Sequence, residues 1–209
     1  MFPRLLAAAL CAAASALCAL AQVTIQEVSS VQNERLLQFP AGALPKLGAL
    51  PRWHEPAFAV PSWWQSGAGP FGFGYTQTTN LSTPMLGKTP AVYLRRSFTV
   101  SAGQAASAEA LELLIDYDDG FVAYLNGQEI ARRNTGATGT FAWHYQEAFN
   151  VKTATGAETI ALGAANTRLL TGTNVLVIQV HNSDVTNGQL RCDATLRIGG
   201  SRSSALKCL

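Results

Sequence analysis

Catalysis or metal binding needs titratable or nucleophilic side chains at workable spacing, and a few stretches of this sequence invite that test. The most acidic is Asp116-Tyr117-Asp118-Asp119-Gly120. As an EF-hand it would need Glu at position twelve; counting from Asp116, that position is Gly127, so the motif fails. Asp116 also sits in an alternating apolar run, which turns it away from its neighbours. A calcium site of another kind stays open, beside the plainer reading that these aspartates cap a turn. Gly67, Gly69 and Gly72 match G-x-G-x-x-G, but dinucleotide binding requires a strand before and a helix after. Here Trp63-Trp64 precedes, Pro70 interrupts and an aromatic run follows, so the stretch reads as a glycine-rich loop under aromatic residues. His54, His144 and His181 lie at no zinc spacing. His181 closes an apolar run and reads as a hydrogen-bonded structural histidine. There is no G-x-S-x-G nucleophile elbow, and every carboxylate that can be placed lies in a turn or a strand. No catalytic constellation emerges, and the chain reads as non-enzymatic. What remains is stacking chemistry. Trp63, Trp64, Tyr75, Trp143 and Tyr145 each offer a large apolar ring with a polar handle, suited to a core or to a sugar platform. One of Trp63 and Trp64 is expected in the core, since adjacent residues of an extended chain face opposite ways. Trp143-His144-Tyr145 is the better candidate for a rim loop.

The elements that must hold these residues are strands. Leu111, Leu113, Ile115 and Tyr117 alternate with polar residues, as do Leu190, Cys192, Ala194, Leu196 and Ile198. In Val92–Val100 the apolar face is Val92, Leu94, Phe98 and Val100, with Arg96 as its one violation. Val23–Val28 is a short β-prone run. Phe121–Leu125 and Gln128–Arg132 flank Asn126-Gly127, a strong signal for a type I′ hairpin. Val175–Val180 is nearly continuous apolar and reads as a strand buried on both faces. One helical turn is expected within Ala105–Leu111, and residues 32–90 read as long loops packed on the sheets. Frequent short strands punctuated by turn residues predict an all-β sandwich. The chain has 209 residues, which bounds it to one domain or one and a small appendage. Fifteen Lys and Arg against thirteen Asp and Glu leave a net charge of +2, too even for coating phosphates, so no nucleic-acid partner is expected. At 13% charged residues, well under the usual ~25%, a disordered charged tail is excluded.

The first residues read as an address. Met1-Phe2-Pro3-Arg4 carries one positive charge, Leu5–Ala21 carries none, and Ala19-Leu20-Ala21 closes it as an A-x-A site. That is a secretory signal peptide over 1–21; a membrane anchor is the competing reading, disfavoured by a short, Ala-rich run. The mature protein is then secreted or periplasmic and not in the membrane. Cys11 and Cys18 leave with the leader. Cys192 and Cys208 remain, either as one disulfide or with Cys192 as a buried thiol.

Four segments in order resemble a galactose-binding-domain-like jelly-roll module of secreted bacterial proteins. They are Trp53 with Pro56, Phe58, Trp63 and Trp64 running into Gly67–Tyr75; Thr89–Val100; Asp118–Arg132, with its Asp-Asp-Gly turn and Leu-Asn-Gly hairpin; and Leu170–Asn182. The last two are also similar to the N-terminal jelly roll of β-galactosidase-type enzymes. The resemblance implies a jelly-roll β-sandwich over 50–198, preceded by a strand and loop segment over 22–49 and followed by a tail over 199–209. Ser183–Gly188 departs from the turn usual in that family, so ligand specificity is not inherited with the fold. The function expected is recognition without catalysis, of carbohydrate or a cell-surface glycan, by stacking on Trp143 and Tyr145 with hydrogen bonds from Asp118, Asp119, Arg132, Asn134 and Asn182. No cofactor is expected beyond a structural calcium of the kind such modules often hold. The alternative is a structural or protein-interaction module of a surface assembly.

Overall fold

Period-two alternation with two apolar faces to bury forces sheets to stack. The computed structural model describes residues 21–24, 27–28, 52–60, 62 and 64–200, with 21–24, 27–28 and 200 described through the backbone alone. The expected leader up to residue 20, most of 22–49, Trp63, Cys208 and the tail beyond 200 lie outside the described residues. In chain order the strands are β1 (Ala21–Thr24), β2 (Glu27–Val28), β3 (Gln65–Ser66), β4 (Phe71–Phe73), β5 (Thr79–Asn80), β6 (Ala91–Val100), β7 (Ala108–Asp118), β8 (Gly120–Leu125), β9 (Gln128–Arg133), β10 (Glu158–Gly163), β11 (Gly172–His181) and β12 (Leu190–Gly200). One sheet runs β10-β7-β12-β4-β5, with β1 also paired to β12; the other runs β3-β2-β6-β11-β8-β9. The molecule is an all-β sandwich. Every pairing is antiparallel except the short β4–β5 contact.

The inner faces supply the core. Leu111, Leu113 and Ile115 of β7 and Cys192, Ala194 and Leu196 of β12 meet Val92 and Leu94 of β6, Phe121, Ala123 and Leu125 of β8, and Leu176, Ile178 and Val180 of β11. Cys192 is a buried free thiol within this layer. The outer face of the first sheet carries ion pairs: Arg197–Glu112 at 3.2 Å and Arg191–Asp116 at 2.7 Å. The outer face of the second sheet is not solvated. Val175 and Val177 of β11, Tyr93 of β6 and Val122 and Tyr124 of β8 lie under Trp53 and Ala142, with Phe58 and Trp64 packed alongside. That second layer is why β11 reads as apolar on both faces, and it also buries Arg95.

Local chemistry sets the joints. Asn126 and Gly127 turn the β8–β9 hairpin at φ 51° and 86°, the left-handed conformations that a type I′ turn demands. A short helix, α1 (Ser82–Met85), buries Met85 in the core. The helical turn expected near 105–111 instead starts earlier, as α2 (Ala102–Ser107), and residues from Ala108 on are strand. A capping box sets its start: Ser101 Oγ accepts the Gln104 amide at 3.2 Å, and Gln104 Oε1 accepts the Ser101 amide at 2.9 Å. No helix among the described residues is long and apolar enough to cross a membrane.

Candidate functional site

Between β9 and β10 the chain runs from 134 to 157 without regular structure. Loops beyond ~12–15 residues inside a compact domain are uncommon, and those that persist tend to serve a function. Such a loop stays ordered only if its backbone polar groups find partners, and here they do, on side chains at the strand ends.

Arg132 holds the first part. Its guanidinium makes a fork with Glu129, Nε to Oε1 at 3.0 Å and Nη2 to Oε2 at 2.9 Å, and donates to the carbonyls of Thr135 at 2.9 Å and Thr140 at 2.6 Å. Glu129 Oε2 also accepts the Gly139 amide at 3.1 Å. The middle is tied to β11. Gln179 Nε2 donates to the Ala142 carbonyl at 3.1 Å, and His181 Nδ1 meets the Gln146 carbonyl at 2.7 Å. Gln146 Nε2 returns to the Thr135 carbonyl at 2.9 Å. The last part is fixed by asparagines and aspartates. Asn134 Nδ2 donates to the carbonyls of Asp119 at 3.1 Å and Asn150 at 2.5 Å. The carbonyl of Asn182 accepts the Ala148 amide at 2.8 Å. Asp119 Oδ1 accepts the Lys152 amide at 2.6 Å, while Oδ2 accepts the Ser183 amide at 2.7 Å and Asn187 Nδ2 at 3.2 Å. Asp118 Oδ2 accepts the Tyr75 hydroxyl at 2.5 Å, and the Tyr75 hydroxyl oxygen in turn accepts the Ala154 amide at 3.2 Å. Gly120 is needed where the loop comes closest: a Cβ there would meet Thr135 Cγ2 at 2.9 Å.

Desolvation shifts the titration of three of these groups, Asp118, Tyr75 and His181. Asp118 is 1% exposed, and its pKa rises from 3.8 to about 6. Desolvation is the main cause; the Tyr75 hydrogen bond opposes it and the neighbouring Asp119 adds to it. The Tyr75 hydroxyl is pushed up to about 12, by desolvation and then by its bond to Asp118. His181 is held down to about 4 by burial, against the help of the Gln146 carbonyl. It is therefore neutral near pH 7, and Nδ1–H donates to the Gln146 carbonyl.

No protein-family model matches the chain, and no curated protein matches it. Among solved structures it is similar to the β-glucuronidase of Ruminococcus gnavus bound to uronic isofagomine, with TM-score 0.46 and 10% identity over 88% of this chain and 28% of that one. The apo form of the Ruminococcus gnavus enzyme gives 0.47 and 10% over 88% and 29%. A calcium-binding mutant of Bacteroides uniformis β-glucuronidase 2 gives 0.45 and 15% over 86% and 18%. The chain spans less than a third of each of those proteins.

The residues expected to bind ligand thus divide. Asp118, Asp119, Arg132 and Asn182 are buried and bonded to the protein itself, and Asn134 is half-buried and likewise engaged. Trp143 and Tyr145 are exposed, at 43% and 61%. Phe141, overlooked in the sequence, joins them: its ring meets Trp143 edge-on at 4.7 Å, and Trp143 lies 5.8 Å from Tyr145 with planes 15° apart. Tyr75 is drawn into the bracing instead. The acidic run also does not fit calcium as folded. Asp116 points away to Arg191 Nε at 2.7 Å, Asp119 accepts three N–H donors, and only Asp118 Oδ1 is buried without a partner. Calcium takes six to eight oxygens. No cluster of three or more metal-ligating side chains forms among the described residues.

Proposed function

We infer that this is a secreted, non-catalytic module of the galactose-binding-like jelly-roll type that recognises carbohydrate on a polysaccharide or a cell surface. One observation carries the reading: three aromatic rings, Phe141, Trp143 and Tyr145, with Trp143 touching the other two, stand exposed on a loop pinned at both ends and beneath. Exposed rings on a pre-organised loop bind without a large ordering cost, and aromatic rings suit the apolar faces of sugars. The polar residues around them position the loop rather than touch ligand. The absence of catalysis is supported by the carboxylates themselves. Glycoside hydrolysis needs two of them facing each other across a substrate, whereas Asp118 and Asp119 are adjacent, buried and bonded inward. Secretion rests on the leader pattern of residues 1–21.

The test is a glycan array with and without calcium, comparing the wild type with Trp143→Ala/Tyr145→Ala. Both rings are exposed, so folding stability should stay within about 0.5 kcal/mol, and glycan binding should be lost. A folded wild type that binds no glycan in either condition refutes the reading. A protein-docking role is favoured by one further feature: Phe149 and Val151 of the same loop are also apolar and exposed, at 65% and 74%.

A further inference from the structure

The aromatic row also constrains what lies on it. Phe141, Trp143 and Tyr145 alternate with Ala142, which is buried against the second sheet, and His144, which is half-buried. The chain turns at His144 and Tyr145, where the Gln146 amide donates to the Trp143 carbonyl at 3.0 Å, so the length of the row is set by the rings themselves: 4.7 Å between the centres of Phe141 and Trp143 and 5.8 Å between those of Trp143 and Tyr145. The ring contacts leave no polar break along it. Such a surface is longer than one pyranose ring.

Its electrostatics are one-sided. The three Lys and Arg side chains between 132 and 157 are all engaged. Arg132 forks onto Glu129 and two loop carbonyls. Arg133 Nε pairs with Glu158 at 3.1 Å. Lys152 Nζ donates to the Tyr117 carbonyl at 2.9 Å and lies 4.0 Å from the centre of the Tyr117 ring. The one further charged side chain between 134 and 157 is a carboxylate, the exposed Glu147. A uronate or sulfate laid on these rings would lose water and gain no free cation from the loop, a net cost.

We propose that the row takes a neutral, linear glycan chain, with at least two consecutive sugar units in contact, in preference to a single sugar or an acidic polysaccharide. The proposal rests on the carbohydrate reading above. It is tested by calorimetric titration of the full chain with neutral gluco-, xylo-, manno- and galacto-oligosaccharides of one to six units, and with uronate oligosaccharides of the same lengths, at low and high salt. In at least one neutral series, affinity should rise about tenfold or more from one unit to three and then level off, corresponding to roughly 1.4 kcal/mol or more. It should be insensitive to salt and lost in Trp143→Ala. A single sugar binding as tightly as its trimer overturns the proposal. So does tighter, salt-sensitive binding of the uronates that Trp143→Ala abolishes, an outcome that leaves the carbohydrate reading standing. Binding of no glycan of either kind overturns that reading and the proposal with it.

Discussion

Asp118→Asn should make the protein more stable at neutral pH and leave it no more stable in acid. Asp118 is buried, and its carboxyl titrates near 6 in the folded chain against 3.8 unfolded. The native state therefore holds a proton more tightly than the unfolded state does. The favourable contribution is complete below pH 3.8 and is lost as pH rises through 6. Above that the folded protein carries a buried charge that costs about 3 kcal/mol relative to an unshifted carboxyl. Asparagine keeps the shape and keeps an oxygen for the Tyr75 hydroxyl, but the short 2.5 Å bond becomes one between neutral groups. That weakening returns about 1 kcal/mol of the gain. The expected net is about 1–2 kcal/mol of added stability at pH 7.5, a rise in Tm of roughly 2–8 °C for a chain of this size. At pH 3.5 the carboxyl is protonated in the native state, and the difference should vanish or reverse. Thermal unfolding followed by circular dichroism from pH 3.5 to 8 measures both. A variant destabilised equally at the two extremes would refute the reasoning. It would mean that the Asp118 charge is held by its surroundings rather than resisted by burial.

Three other perturbations separate the braces from one another. His181 titrates near 4 against 6.5 unfolded, so its contribution is lost as pH falls from 6.5 towards 4. His181→Asn can keep a donor to Gln146 yet takes up no proton, and should recover about 2–3 kcal/mol of the wild type's loss between pH 7 and 4.5 in chemical denaturation; equal losses in both proteins would contradict this. Arg132→Lys keeps the charge but not the fork to Glu129. It should cost about 1–3 kcal/mol and speed hydrogen exchange at Gly139, whose amide depends on Glu129; unchanged exchange there would remove Arg132 as the loop's anchor. Asn187→Asp deletes a donor to Asp119 and sets a second carboxylate against it. A loss of about 1–2 kcal/mol is expected at pH 7, relieved at pH 3.5, and a loss that persists at pH 3.5 would point to lost shape rather than repulsion.

Much of the sandwich was legible because one-sided burial writes itself as alternation. β7, β12 and the β8–β9 hairpin follow directly from Leu111–Tyr117, Leu190–Ile198 and Asn126-Gly127. The edge strand β10, Glu-Thr-Ile-Ala-Leu-Gly, escaped notice because its alternation is short, with Ile160 and Leu162 alone turned inward, and Glu158, Ala161 and Gly163 carry little β preference. The earlier start of α2 was available in Ser101 and Gln104, the spacing of a capping box. The apolar run in β11 correctly announced burial on both faces. What provides the second cover is Trp53 and Phe58, far away in sequence, and no local pattern encodes that contact.

Residue type marked out the rings and the polar residues alike, and the structure gives the two different surroundings, for a physical reason. Asp, Asn and Arg at loop ends offer the same donors and acceptors to a sugar as to a backbone, so residue type cannot tell binding from bracing. What decides is demand. A loop from 134 to 157 with no sheet to join must satisfy its amides and carbonyls elsewhere, and a buried acceptor left unfilled costs ~1–3 kcal/mol. Asp119 answers with three accepted N–H bonds, Asn134 with two donated ones, and Arg132 with a fork and two carbonyls. With those groups facing inward, the large side chains left at the surface of the loop include Phe141, Trp143, Tyr145 and Phe149. The rings are left over from that demand: Phe141, Trp143 and Tyr145 have no backbone group of the loop to serve, and they stand at its surface.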